Sequence, residues 1–134
     1  MYSAELWKNQ ASHSQQAAQL LYDSGFYRDS VSRAYYASYQ AATAVSVDHG
    51  DAANFPTGWN NPSHEQLPEL IRNNRNVPLS ARREVCKRLR YLRNAREDAD
   101  YRPGHTVDSS TARDCLRALS TVFRYLQGDY NEPE

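Results

Sequence analysis

The chain is predicted to be all-α, an antiparallel bundle of four or five helices. Three observations carry this. Long stretches repeat apolar residues at helical spacing. Helix-capping residues stand at the ends of those stretches. No stretch alternates apolar and polar residues convincingly enough for a strand. At 134 residues the chain is read as one domain, its core about 3–127, able to fold without metal or disulfide staples.

Residues 3–24 form the first predicted helix. Trp7, Ala11, Ser14, Ala18 and Leu21 mark one face, and Ala17 and Leu20 widen it. Ser3 is its expected N-cap, Leu6 opens the apolar side, and Gly25 is the expected residue just past its end. His13 is expected to face solvent. Residues 27–47 form the second helix. Its stripe runs Val31, Ala34, Tyr35, Ser38, Ala41, Ala42 and Val45. Frequent alanine allows neighbours to approach closely, so this helix is placed at the centre of the bundle. Arg33 within it has two readings: an ordinary ion pair with Asp29, or a cleft shared with Arg96.

Residues 48–62 hold Gly, Pro and Asn without periodicity and are predicted to be a long loop. Phe55 and Trp59 imply that part of it packs down, on the chain or on a partner subunit. Ser63 opens a short third helix, with Ser63 and Gln66 as a capping box and Leu67, Leu70 and Ile71 as its buried side. Pro68 predicts an irregular start. His64 sits at that helix opening, either as a polar first-turn residue or reaching into a cleft. Asn73 to Val77 is the connection.

The fourth helix is basic, with Ser80 as its expected N-cap and Arg102-Pro103-Gly104 as its stop. Its apolar stripe is Val85, Leu89, Leu92 and Ala99, and the missing member is Arg96. An arginine on an inward stripe is costly to bury without a partner or a role. Asp100 and Tyr101 follow within reach of it. Asp108 caps the last helix, whose stripe is Ala112, Cys115, Leu116, Leu119, Val122, Phe123 and Leu126. The tail, 128–134, is expected to fray.

Sixteen Lys and Arg balance sixteen Asp and Glu, so no global field draws the chain to nucleic acid or membrane. The distribution is uneven. Residues 72–102 carry a net +6, which leaves −6 for the rest. That asymmetry suits a nucleic-acid face or a self-complementary dimer. Cys86 and Cys115 lack metal-ligand spacing and read as buried small hydrophobes. No run suits a membrane span or a signal peptide, so the expected compartment is cytoplasmic, with no membrane contact. No phosphate loop, metalloprotease motif or di-iron E-x-x-H pair occurs, and neither metal nor cofactor is expected.

Four features resemble one family. They are S-R-A-Y-Y-A-S-Y-Q-A-A (Ser32–Ala42), the Ser63-His64 opening, R-E-D-A-D-Y (Arg96–Tyr101) and the closing amphipathic helix. Together they look like the HEPN superfamily, in the branch with an R-A-Y-Y-A helix and an R-x-x-A-D-Y signature. The resemblance spans residues 5–127. It implies a helical bundle, commonly a homodimer, encoded beside a small nucleotidyltransferase and acting in toxin–antitoxin, defence or RNA-processing systems. Active members are metal-independent ribonucleases whose motif is an arginine followed, after four to six residues, by a histidine. Arg96 matches that arginine. Tyr101 stands where the histidine would be, and His105 follows with eight residues between it and Arg96, beyond Pro103-Gly104.

Metal-free RNA cleavage needs a base for the 2′-hydroxyl, an acid for the leaving oxygen and positive charge on the phosphorane. Arg96 and Arg33 suit the charge, and a tyrosine does not titrate near neutrality. His64 is the candidate base, with His105 of a partner subunit behind it. Arg96, His64 and Tyr101 are the candidate catalytic residues. Arg33, Asp100, Arg93 and Tyr36 are the candidate substrate-binding residues. A structural alternative treats Arg96, Asp100 and Tyr101 as packing devices. Two functions are carried forward: an RNA-binding toxin or defence module with ribonuclease potential, and a non-catalytic partner of a nucleotidyltransferase antitoxin or a nucleotide.

Overall fold

A computed structural model describes residues 1–128. It contains five α-helices: α1 (Ala4–Asp23), α2 (Tyr27–His49), α3 (Gln66–Arg72), α4 (Leu79–Tyr101) and α5 (Ser109–Leu126). No strand occurs among the described residues. The expected fraying of the tail from 129 onward lies outside them.

α1 begins as its sequence dictates, with the Ser3 side chain accepting from the Leu6 N–H at 3.2 Å. It ends in a Schellman turn. Phe26 N–H donates to the Leu21 carbonyl at 2.9 Å and Gly25 N–H to the Tyr22 carbonyl at 3.1 Å. That geometry needs Gly25 at φ +82, where a side chain would be strained. The turn folds α2 back along α1 as a helical hairpin. The buried line of α1 is Ala4, Ala11, Ser14 and Ala18. Leu6 and Leu20 stay 56% and 67% exposed, contrary to expectation. Each lies two residues past a buried alanine, about 200° around the helix, and so points away from the core.

α2 is the central element and packs against every other helix. Its alanines at 34, 37, 42 and 44 are fully buried. Ser30, also buried, donates to the Ala18 carbonyl at 2.8 Å and pins α2 to α1. The helix runs two residues beyond its expected end, to His49, and stops at Gly50. The segment after it is less irregular than its composition suggests. Asp51–Asn54 form a short 3₁₀ turn, a form common just past helix ends. Phe55 packs into the protein, while Trp59 is 51% exposed. The loop is tied down at its far end, where the Tyr39 hydroxyl donates to the carbonyl of the buried Pro62.

α3 starts late. Ser63 Oγ accepts from the Gln66 N–H at 3.0 Å, so the cap forms. The other half of the expected box does not, because the Gln66 side chain donates to the Asn54 carbonyl instead. α4 starts at Leu79, with Pro78 at the cap position and no side-chain cap, so Ser80 lies inside the helix and is exposed. Pro78 enters at φ −54 and its carbonyl accepts from the Arg82 N–H at 2.9 Å, while no side chain caps the first N–H groups. Val85, Leu89, Leu92, Arg96 and Ala99 all face the core.

The end of α4 is held by a residue that periodicity does not single out. Arg28, near the start of α2, donates from Nη1 to the carbonyls of Asp98, Ala99 and Arg102 at 3.2, 3.0 and 3.3 Å. Its Nη2 donates to Pro103 at 3.2 Å and to His105. A guanidinium therefore fills the place of the missing helical donors. α5 opens on Asp108, whose carboxylate accepts from the Thr111 N–H at 3.0 Å. Cys86 and Cys115 are buried free thiols.

Candidate functional site

Arg96 is 7% exposed and sits on the inward stripe of α4. A carboxylate is not its main partner, since Asp100 Oδ2 is 3.9 Å from Nη1. The guanidinium is held instead by aromatic faces. Its Cζ lies 5.6 Å from the Tyr35 ring centroid, 5.7 Å from that of Tyr36 and 5.4 Å from that of Tyr101. Cation–π contact of this kind is worth about 1 kcal/mol or more per ring when desolvated. The group's one hydrogen bond among the described residues is long, Nη1 donating to the Tyr36 hydroxyl at 3.5 Å. Its Nε is buried without a partner among the described residues. A guanidinium has five donors, so most of this one's capacity is unspent.

Arg33 does not pair with Asp29 among the described residues. It lies over Tyr36, with Cζ 4.9 Å from the ring centroid. The R-A-Y-Y segment thus places two guanidiniums, Arg33 and Arg96, on the same tyrosine ring. Asp100 is tied to α2 by a hydrogen bond from the Ser32 hydroxyl at 3.1 Å. Arg93, one turn before Glu97, pairs loosely with it at 3.6 Å. Tyr101 is 70% exposed and covers Arg96 from outside.

His64 comes to the same place from the loop before α3. Its ring sits against Tyr35, Tyr36 and Tyr39, with centroids 5.5, 6.2 and 5.1 Å away. His64 and Arg96 therefore share two tyrosine rings, those of Tyr35 and Tyr36. The Tyr35 hydroxyl lies 2.6 Å from His64 Nδ1. Burial pushes the Tyr35 phenol well above its ordinary range, so it keeps its proton. The tyrosine is then the donor and Nδ1 the acceptor, which leaves the ring proton on Nε2. His105 is elsewhere in the bonding pattern: its Nε2 is 3.5 Å from Asp98.

Burial, followed by the charges of Arg96 and Arg93, lowers the His64 pKa below its ordinary 6.5, with Glu97 pulling weakly the other way. His64 is thus neutral at pH 7. This sets a sign for stability. Between the lowered folded value and 6.5 the unfolded chain holds a proton that the folded chain does not. Stability therefore falls as pH drops through that window. The melting temperature of the wild type should decline more steeply below pH 6.5 than that of His64→Gln. Parallel curves would show that His64 does not carry this term.

Chemically, the cluster offers two guanidiniums, a neutral imidazole with Nε2–H as donor, and an exposed aromatic ring. These groups suit a phosphate oxygen and a stacked base. As a base for a 2′-hydroxyl, Nε2 would first have to lose its proton, which needs the Tyr35–His64 hydrogen bond to reverse. Of the sequence candidates, the structure gathers Arg96, His64, Arg33, Tyr36, Asp100 and Tyr101 around α2, with Arg93 alongside. Tyr35 and Tyr39 set the ring of His64, whereas the sequence marks Tyr35 only as a member of the α2 stripe and gives Tyr39 no role. The tyrosine repeat on α2 was their one available signal.

A family model described as HEPN domain matches residues 4–129. No curated protein matches the chain.

Proposed function

Because the chain belongs to the HEPN domain family, we propose that it is an RNA-binding module of a toxin or defence system. In this reading Arg96 and Arg33 take the phosphate, His64 donates to it from Nε2, and Tyr101 stacks a base. The observation that carries it is the buried, under-bonded Arg96 guanidinium, held by tyrosines rather than neutralised by an acid. A structural arginine of this burial would ordinarily be paired. Homodimerisation, common among HEPN domains, would bring a second cluster into play. No helix among the described residues is long and apolar enough to cross a membrane.

Metal-independent ribonuclease activity is the further step. The P–O2′ bond would form and the P–O5′ bond break. The 2′-hydroxyl proton would pass to His64, and solvent water would supply a proton to the leaving O5′. Arg96 and Arg33 would carry the charge on the phosphorane. The Tyr35–His64 hydrogen bond favours the second reading, a non-catalytic module that binds RNA or a nucleotide, or docks on a nucleotidyltransferase.

The test is RNA cleavage by purified protein in EDTA, with binding at low salt measured beside it. The expected result is RNA binding by the wild type that is weakened in both Arg96→Ala and His64→Ala, and metal-free cleavage lost in both variants would establish the ribonuclease step. Binding without cleavage would establish the non-catalytic form. No binding of single- or double-stranded RNA at low salt would overturn the RNA reading.

A further inference from the structure

We propose that arginines running along α4 away from Arg96 form a phosphate track, so that the ligand is an extended single strand of RNA rather than a mononucleotide. This rests on the reading of the Arg96–His64 cluster as an RNA site and extends it to a second surface.

The track begins at Arg93. Its charge is felt by both His64 and Tyr35, which places it at the edge of the cluster. Arg90 and Arg83 lie three and ten residues earlier, a spacing that keeps all three on one stripe of the helix. From Arg83 to Arg96 the helix rises about 20 Å. At the far end lies a cavity of about 420 Å³ lined by Arg72, Leu79, Arg82, Arg83, Cys86 and Arg90.

That cavity is built rather than incidental. Arg82 is fixed from below, with Nε donating to the Val77 carbonyl and Nη1 to the Arg72 carbonyl, both at 2.8 Å. The Cys86 thiol is turned into the floor, donating to the Pro68 carbonyl at 3.2 Å. The charges felt at Cys86 are those of Arg90, Arg72 and Arg82, and one acid, Glu69. Glu69 is already paired with Arg72 at 2.7 Å. Arg83 and Arg90 have no acidic partner among the described residues. Four guanidiniums around one concavity, with a single carboxylate, call for a polyanion. The exposed Tyr101 ring over Arg96, at the end of α4 beyond Arg93, selects an unpaired strand, because a base must be free to stack.

The experiment measures affinity for a tetranucleotide and a dodecanucleotide RNA across salt. Wild type is compared with the triple variant Arg72→Ala, Arg83→Ala, Arg90→Ala, with the corresponding triple lysine variant and with Arg96→Ala. The three residues are exposed, and Arg82, which braces the backbone, is left in place. For the dodecanucleotide, the salt slope of the triple alanine variant should be shallower by about 2, at about 0.7 per lost phosphate contact. A fourfold rise in salt then costs the wild type about 20-fold more affinity than the variant. The lysine variant should restore most of the slope. The tetranucleotide should bind wild type and triple variant alike and be lost with Arg96→Ala.

Equal slopes for wild type and triple variant, with binding still lost in Arg96→Ala, would overturn the track and leave the site reading standing. Equal slopes with a weakened dimer would assign the patch to the acidic surface of a second copy instead. No binding of either RNA by the wild type would remove the site reading and the track together.

Discussion

Replacing Arg96 by alanine is expected to weaken RNA binding by about 100-fold or more, with the helical fold retained. Truncating one member of a desolvated charge pair typically costs about 2–5 kcal/mol. Each 1.4 kcal/mol is about a factor of ten. The bound phosphate would be left facing tyrosine rings with only Arg33 and the His64 Nε2–H to hold it. Loss of the ring contacts costs about 1 kcal/mol or more of stability per ring, part of which is offset because a guanidinium no longer has to be desolvated. Circular dichroism and a melting curve separate the two effects. Arg96→Lys should recover only part of the affinity, because an ammonium lacks the planar fork that stacks between rings and bonds two oxygens at once. Wild-type affinity in a folded Arg96→Ala protein would mean that this guanidinium serves packing alone.

Leu92→Ala should have the largest effect on stability. Leu92 is 0% exposed, one turn before Arg96, and belongs to the hydrophobic core where α4 packs on the other helices. Removing its branched carbons leaves a cavity that three helices cannot easily close. The cost for such sites is about 3 kcal/mol, within a range of about 2–5. For a chain of this size that corresponds to a melting temperature lower by about 10 °C. Thermal unfolding followed at 222 nm checks it. A fall of under about 1 kcal/mol would show that α4 relaxes into the space. Such relaxation would move Arg96, so RNA affinity in this variant also reports how tightly the core holds the site.

Much of the fold could be read from local signals. Helical periodicity is local, and so are the caps. Ser3, Gly25 and Asp108 each act where their chemistry places them. The interrupted stripe of α4 pointed to Arg96, because a charge at a core position is visible one turn at a time. Spacing could not supply the contacts between distant segments. Tyr35 and His64 are 29 residues apart, and their hydrogen bond depends on where the loop before α3 returns to α2. Arg28 reaches carbonyls 70 and more residues away, so nothing in its own helix marks it. The cap position of α4 lies two residues before the expected Ser80, because a serine is a familiar cap whereas Pro78 opens the helix without a side-chain cap. The Asp29–Arg33 ion pair fits the spacing rule, yet Arg33 lies on Tyr36 instead. A ring beside a second guanidinium outcompeted a solvent-exposed carboxylate, whose pairing is worth only a few tenths of a kcal/mol, roughly.

The convergence of Arg96 and His64 on one phosphate is tested most directly by following the His64 imidazole resonances by NMR across pH, with and without a saturating tetranucleotide RNA. A phosphate held beside the ring favours the imidazolium. The His64 midpoint, which lies below 6.5 in the free protein, should therefore rise when RNA binds, and the rise should vanish in Arg96→Ala. Unchanged His64 resonances and midpoint at saturating RNA would contradict the account, placing the phosphate away from this cluster.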